Sequence, residues 1–173
     1  MIINYMKWII FTGTWRLTNE EVERDVREAV RNVLANGDAI ITGGALGVDW
    51  FTLDEAMKLN PTCERILVII PTSLEIFTEY LKQPILQGRI TMEDFEKVTN
   101  SLVVLKSIRQ ESLIEMPFED NTRMEYFARN QEEVNRADAV YAFQVNDSVG
   151  TQDTIDKAIT KGIPILLHKK YSL

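Results

Sequence analysis

The chain is poor in the residues that would mark several functional classes. It has one cysteine, Cys63, and one histidine, His168. A disulfide within the chain is therefore impossible, and no zinc ligand set can be assembled from Cys and His. We expect neither a metal nor a bound cofactor. Basic charge is also in deficit: 19 Lys and Arg face 26 Asp and Glu, for a formal net charge of -7. A surface that tracks phosphate backbones needs clustered Lys and Arg. The balance argues against nucleic acid as a partner, while leaving room for one small basic pocket. Long apolar runs are missing too. Trp8–Phe11 is too short for a signal-peptide core or a membrane span, so the expected location is the cytoplasm, without a membrane partner. Neither Gly-x-Gly-x-x-Gly nor a Walker P-loop is present. That argues against an ordinary dinucleotide fold or an ATPase.

What remains is a chain of 173 residues that is 45% hydrophobic, enough for one domain with a real core. There are no repeats, low-complexity tracts or domain linker. Lys7–Thr14 reads as a strand, with Trp8, Ile9, Ile10 and Phe11 apolar on both faces, as suits a parallel strand covered on both sides. Thr18 and Glu21 have the spacing of a capping box. Val22, Val26, Ala29, Val30, Val33 and Leu34 then recur at helical spacing, up to Asn36-Gly37. Asp38–Thr42 is a second strand, Asp49–Leu59 a second helix, and Arg65–Ile70 a third strand ended by Pro71.

The alternation pauses from Thr72 to Asn121. Ser73 and Thr91 with Asp94 are helix caps there, and the segment reads as a helical insertion at 72–121 packed beside the sheet. Asn121–Arg136 is a further helix, with Arg123 and Asn130 on a stripe shared with Phe127 and Val134. Ala139–Phe143, a helix at Thr151–Lys161 and a last strand at Pro164–Leu167 complete the pattern. The expected fold is α/β: a single domain over 1–173, with a Rossmann-like open parallel sheet of about five strands and helices on both faces.

Three strand ends carry small residues. They are Thr12-Gly13-Thr14, Gly43-Gly44 with the following Asp49, and Ser148-Val149-Gly150-Thr151. In an open parallel sheet, ligands bind beyond the carboxyl ends of the strands, where strand order reverses. Backbone N–H groups and hydroxyls at helix starts suit phosphate and ribose. Each loop taken alone is also an ordinary tight turn. As a set they point to a nucleotide or nucleotide derivative.

The ordered set Thr42–Asp49, Ile66–Pro71, Arg129-Asn130, Ala137-Asp138, Ser148–Thr151 and Gly162-Ile163-Pro164 resembles the SLOG superfamily. That superfamily includes the DNA-processing DprA (Smf) proteins, the LOG phosphoribohydrolases and small YspA- or YpsA-like proteins, the last fitting this length and charge best. The resemblance spans Trp8–Leu167 apart from the 72–121 segment. It implies a Rossmann-like sheet that binds nucleotides, nucleotide derivatives or, in DprA, single-stranded DNA. It also favours a homodimer. The LOG pattern Gly-Gly-x-Gly-Thr-x-x-Glu implies nucleoside 5'-monophosphate N-glycosidase activity, a hydrolase reaction. Here Thr154 stands where its glutamate belongs, and Asn130 where its lysine does. Asp153 lies one residue off, about 100° around the helix, and Asp147 is the other catalytic candidate. The DprA pattern matches at Thr154 and Arg129-Asn130. A ligand held by a sensor or carrier is the leading expectation, with N-glycosidic hydrolysis and single-strand binding as alternatives.

Several residues admit two roles. Arg129 either neutralises a phosphate or pairs with Glu125, Glu132 or Glu133. Asn130 bonds the Gly150 loop or the ligand. Asp49 caps its helix or reads a ribose hydroxyl. Trp15 and Arg16 stack on a base or pack at the surface. His168 and Cys63 read as passive.

Overall fold

The computed structural model describes residues 5–173. Its sheet has six parallel strands in the order β4-β3-β2-β1-β5-β6. The strands are β1 (Trp8–Gly13), β2 (Ala39–Thr42), β3 (Ile66–Thr72), β4 (Leu113–Phe118), β5 (Ala139–Val145) and β6 (Ile165–Tyr171). The helices are α1 (Glu20–Ala35), α2 (Val48–Leu59), α3 (Leu74–Leu86), α4 (Met92–Ile108), α5 (Arg123–Arg136) and α6 (Val149–Lys161).

The two-residue period of a strand sorts the apolar runs into two cores. Ile9 and Phe11 of β1, Ile40 of β2, Val68 and Ile70 of β3 and Phe143 of β5 pack on the side of α1 to α4. Ile10, Ile41, Ile69, Val140 and Ala142 face the other way, onto Val134 of α5 and Ile155 and Ala158 of α6. That is why Trp8–Phe11 is a continuous apolar run: both faces of β1 are covered.

The sheet has six strands where the sequence suggests about five. The sixth, β4, lies inside the 72–121 segment between α4 and α5. Leu113 is buried, the residues after it are only half-buried, and Pro117 is exposed. An edge strand pairs on one side only, so it tolerates proline and a carboxylate that a central strand rejects. Glu115 is neutralised there, since its carboxylate accepts from the Leu74 N–H at 2.6 Å and from Lys106 at 2.6 Å. β3 likewise runs through Pro71 to Thr72, and its pairing with β4 shifts register between Ile70 and Thr72. The α1 cap also differs from expectation. Asn19, not Thr18, accepts from the Val22 N–H at 3.0 Å. The Ser73 cap and the Thr91–Asp94 capping box form as read.

From β1 the chain moves through β2 and β3 toward one edge, and from β5 to β6 toward the other. The order therefore reverses between β1 and β5, whose ends are in register at Thr12–Ala142 and Gly13–Phe143. Gly13 sits at that reversal. A Cβ there would lie 2.4 Å from Val48 Cγ2 and 2.7 Å from the Phe143 carbonyl oxygen. Gly13→Ala is expected to destabilise the protein by about 1–3 kcal/mol, lowering Tm by about 2–4 °C per kcal/mol. Thermal unfolding by circular dichroism checks this, and an unchanged Tm contradicts so tight a contact.

Candidate functional site

The ends of β1 and β5 open into a cleft of about 1020 Å³. Its floor is Thr12–Arg16 on one side and Asn146–Gly150 on the other, with Ala45 and Asp49 of the β2–α2 connection between them. α5, from Arg123 to Glu133, forms one wall. The second half of α3, with the following turn to Arg89, forms the facing wall.

A buried charged network closes the deep end. Arg129, Glu133 and Asp49 are each less than 10% exposed. The Arg129 Nη1–H donates to Glu133 at 3.2 Å and lies 3.7 Å from an Asp49 oxygen. Asp49 is further held by the Thr42 hydroxyl at 3.0 Å and the Ala45 N–H at 3.1 Å. Burial pushes the Glu133 carboxyl up to about 8, and the nearby Asp49 adds to the rise. The attraction of Arg129 only partly opposes it. Burial also works against the Arg129 charge, but the Glu133 and Asp49 carboxylates overcome that and hold its pKa up. The guanidinium still has a buried Nε–H with no hydrogen-bond partner among the described residues. An orphaned donor of this kind costs roughly 1–3 kcal/mol and calls for an acceptor.

The helix starts differ in a telling way. α1, α3, α4 and α5 are capped by the side chains of Asn19, Ser73, Thr91 and Thr122. α2 and α6, which begin at the cleft, have no side-chain cap. At α2 the Val48 N–H is taken by the Thr14 carbonyl at 3.2 Å. At α6 the N–H groups of Val149, Gly150 and Thr151 meet no protein acceptor among the described residues. The loop before α6 is nevertheless held firmly from behind. Gln144, itself bonded to His168 at 2.9 Å, donates to the Ser148 carbonyl at 3.3 Å. Asn130 Nδ2 and Thr154 Oγ1 each donate to the Gly150 carbonyl at 3.4 Å. Fixed carbonyls behind and free N–H groups in front make a pre-formed anion cradle.

The residues read from the sequence separate into two groups. Thr12, Gly13, Thr14, Asp49, Arg129, Asn130, Asp147, Ser148 and Gly150 all line the cleft. Gly43, Gly44, Thr151 and Asp153 do not. Gly43 is buried under Arg129: a Cβ there would fall 1.1 Å from Nη1. Gly44, at φ +72°, is packed against Val68, Ile70 and Leu102. Thr151 is buried, with its hydroxyl on Ser148 Oγ at 3.0 Å. Asp153 is engaged by Asn130 Nδ2 at 2.9 Å and by Lys157. Of the stripe on α5, Asn130 is buried but Arg123 is exposed. Trp15 and Arg16 both line the cleft, with the guanidinium 4.3 Å from the ring centroid.

Sequence reading missed the wall from α3, with Tyr80, Gln87 and Arg89, because nothing in the spacing of the 72–121 segment says which strand ends it will face. Glu133 carried one legible signal: it lies four residues after Arg129, so the two meet on one helix face. Among the described residues, no helix is long and apolar enough to cross a membrane. Nor does any group of three or more His, Cys, Asp or Glu among them form a metal site.

No family model matches the chain, and no curated protein matches it by sequence. Its structure is similar to that of DNA processing protein A from Helicobacter pylori, a protein described by its single-stranded DNA binding mode. The TM-score is 0.65 at 20% identity, over 92% of this chain and 63% of that one. It is also similar to the structural-genomics target TM1055, with TM-score 0.54 at 15% identity over 92% of this chain and 72% of the other. DprA from Streptococcus pneumoniae gives 0.50 at 14% identity, over 94% and 59%. The chain thus spans less than two thirds of either DprA chain. At these identities the likeness is one of fold: a Rossmann-like α/β sheet.

The buried carboxyl gives the site a pH signature. Unfolding returns Glu133 from about 8 to its ordinary 4.5, so the folded state binds its proton more tightly. Its contribution to stability is full below pH 4.5 and is lost as pH rises through about 8. Glu133→Gln keeps the shape without the titration. Urea unfolding from pH 5 to 9 should show the variant gaining stability relative to wild type as pH rises. A constant difference contradicts the shifted carboxyl.

Proposed function

We propose that this chain is a member of the SLOG superfamily and that the cleft binds a nucleotide or nucleotide derivative, as a sensor or carrier. One observation carries the reading most directly. The three first-turn N–H groups of α6 are left free where four other helices are capped by side chains. Phosphate oxygens are the natural acceptors at such an end, because the helix dipole and the N–H groups favour the same sign of charge. Thr12-Gly13-Thr14 stands opposite this end, and Arg129 with its unpaired Nε–H lies at the deep side. Fold likeness to DprA and TM1055 supports the assignment.

Holding fits these side chains better than cutting. N-glycosidic hydrolysis needs a carboxylate to steady an oxocarbenium-like transition state or to activate water. Asp153 is committed to Asn130 and Lys157. Thr154 stands in the position of the LOG glutamate. Asp147 is the remaining candidate on the cleft, exposed at its rim.

AMP is the probe. Saturating AMP should raise Tm, since a ligand that binds only the folded state stabilises it, and chromatography should find no free adenine. Gly150→Asp separates stability from binding. A Cβ at Gly150 meets nothing within 4 Å, and a carboxylate at a helix start stabilises it by about 0.3–1 kcal/mol. The same charge competes with phosphate. The variant should therefore be at least as stable as wild type without ligand, yet lose the AMP response. An undiminished response contradicts the placement. Release of adenine that Asp147→Asn abolishes replaces holding with hydrolysis.

A further inference from the structure

Four features of the cleft are in excess of what one mononucleotide uses. The first is size. Clefts of roughly 300–1,000 Å³ enclose drug-sized ligands, and this one, at about 1020 Å³, lies at the top of that span. The second is charge. Besides Arg129, the cleft is lined by Arg16, Arg89 and Arg123, and none of these three forms an ion pair among the described residues. Asp147 is the one exposed carboxylate lining the cleft, so around its opening three guanidiniums without an ion-pair partner outnumber it and favour anions. The phosphate of a mononucleotide is already served by the free N–H groups of α6.

The third feature is a pair of separate arginine–aromatic faces. Arg16 lies 4.3 Å from the Trp15 ring centroid, on the β1 side. Arg123 lies 5.1 Å from the Phe127 ring centroid, on α5. Aromatic rings and guanidinium planes are the surfaces on which bases stack. The fourth is the facing wall, where Gln83 and Gln87 present amides able to meet base edges.

We infer that the ligand is dinucleotide in scale: two nucleosides joined through phosphate, with two bases and at least two phosphate charges. This rests on the nucleotide reading above and names the class of ligand within it. One phosphate sits on the α6 end. The second charge is met by the outer arginines rather than by a second glycine-rich turn, in keeping with the absence of the Gly-x-Gly-x-x-Gly fingerprint. The two bases stack on the outward planes of the Arg16 and Arg123 guanidiniums, which themselves lie against Trp15 and Phe127. A long single strand would need a basic track leading away from the cleft, and the acidic balance of the chain supplies little charge for one.

Calorimetric titration with AMP, with the 5'-phosphorylated dinucleotide pApA and with a longer oligoadenylate tests this. Stacking a second base and pairing a second phosphate should make pApA about tenfold or more tighter than AMP. The longer strand should bind no tighter than pApA. Arg89→Ala and Arg123→Ala, both at exposed positions, should bring the ratio of pApA to AMP affinity down toward one. Equal affinity for AMP and pApA overturns the inference and leaves nucleotide binding standing. So does a loss in the variants by the same factor for both probes. Affinity that keeps rising with strand length also overturns it, in favour of single-strand binding. Failure of all three probes overturns this inference together with the reading beneath it.

Discussion

The guanidinium of Arg129 ties together the parts of the chain that meet at the strand ends. It projects from α5, pairs with Glu133 one turn along the same helix, and approaches Asp49 on α2. Asp49 in turn takes the Thr42 hydroxyl and the Ala45 N–H, which shapes the turn after β2. Gly43 has no side chain because the guanidinium occupies that space. Charges this deep have no water to fall back on, so each member of the set depends on the others. Burial works against the charged form of Glu133, and the attraction of Arg129 only partly offsets this.

Behind that network stands the parallel sheet, and much of it could be read from residue order. Trp8–Phe11 is apolar on both faces because helices cover both sides of β1, and the alternation of strands and helices on either side of it follows the usual logic of such sheets. β4 escaped because an edge strand need not be apolar. Glu115 and Pro117 are compatible with it only because one side stays unpaired and Lys106 is within reach. The shift of the α1 cap from Thr18 to Asn19 reflects two adjacent residues that both cap well, with only the tertiary path of the chain to choose between them.

The candidate site was legible in part, for a related reason. Strand-end loops declare themselves by small residues next to apolar runs, and Thr12–Thr14 and Ser148–Gly150 reach the cleft. Small residues also occur where a neighbour needs the space. Gly43 and Gly44 belong to that second kind, one beneath Arg129 and the other against Val68 and Ile70. Composition at a single loop cannot separate the two cases, since both need the absence of a Cβ. Arg89, Tyr80 and Gln87 were out of reach because their role depends on where α3 docks, a matter of long-range packing.

At the reversal of its sheet this acidic chain carries a cleft lined by four arginines, three carboxylates and several aromatic rings. The proposed role of the cleft depends on phosphate seating at the free first turn of α6. Backbone amide NMR during AMP titration tests it most directly. The largest shift changes are expected on Val149, Gly150 and Thr151, accompanied by Thr12–Thr14. Saturable changes confined to other surfaces, with these amides unmoved, would contradict it.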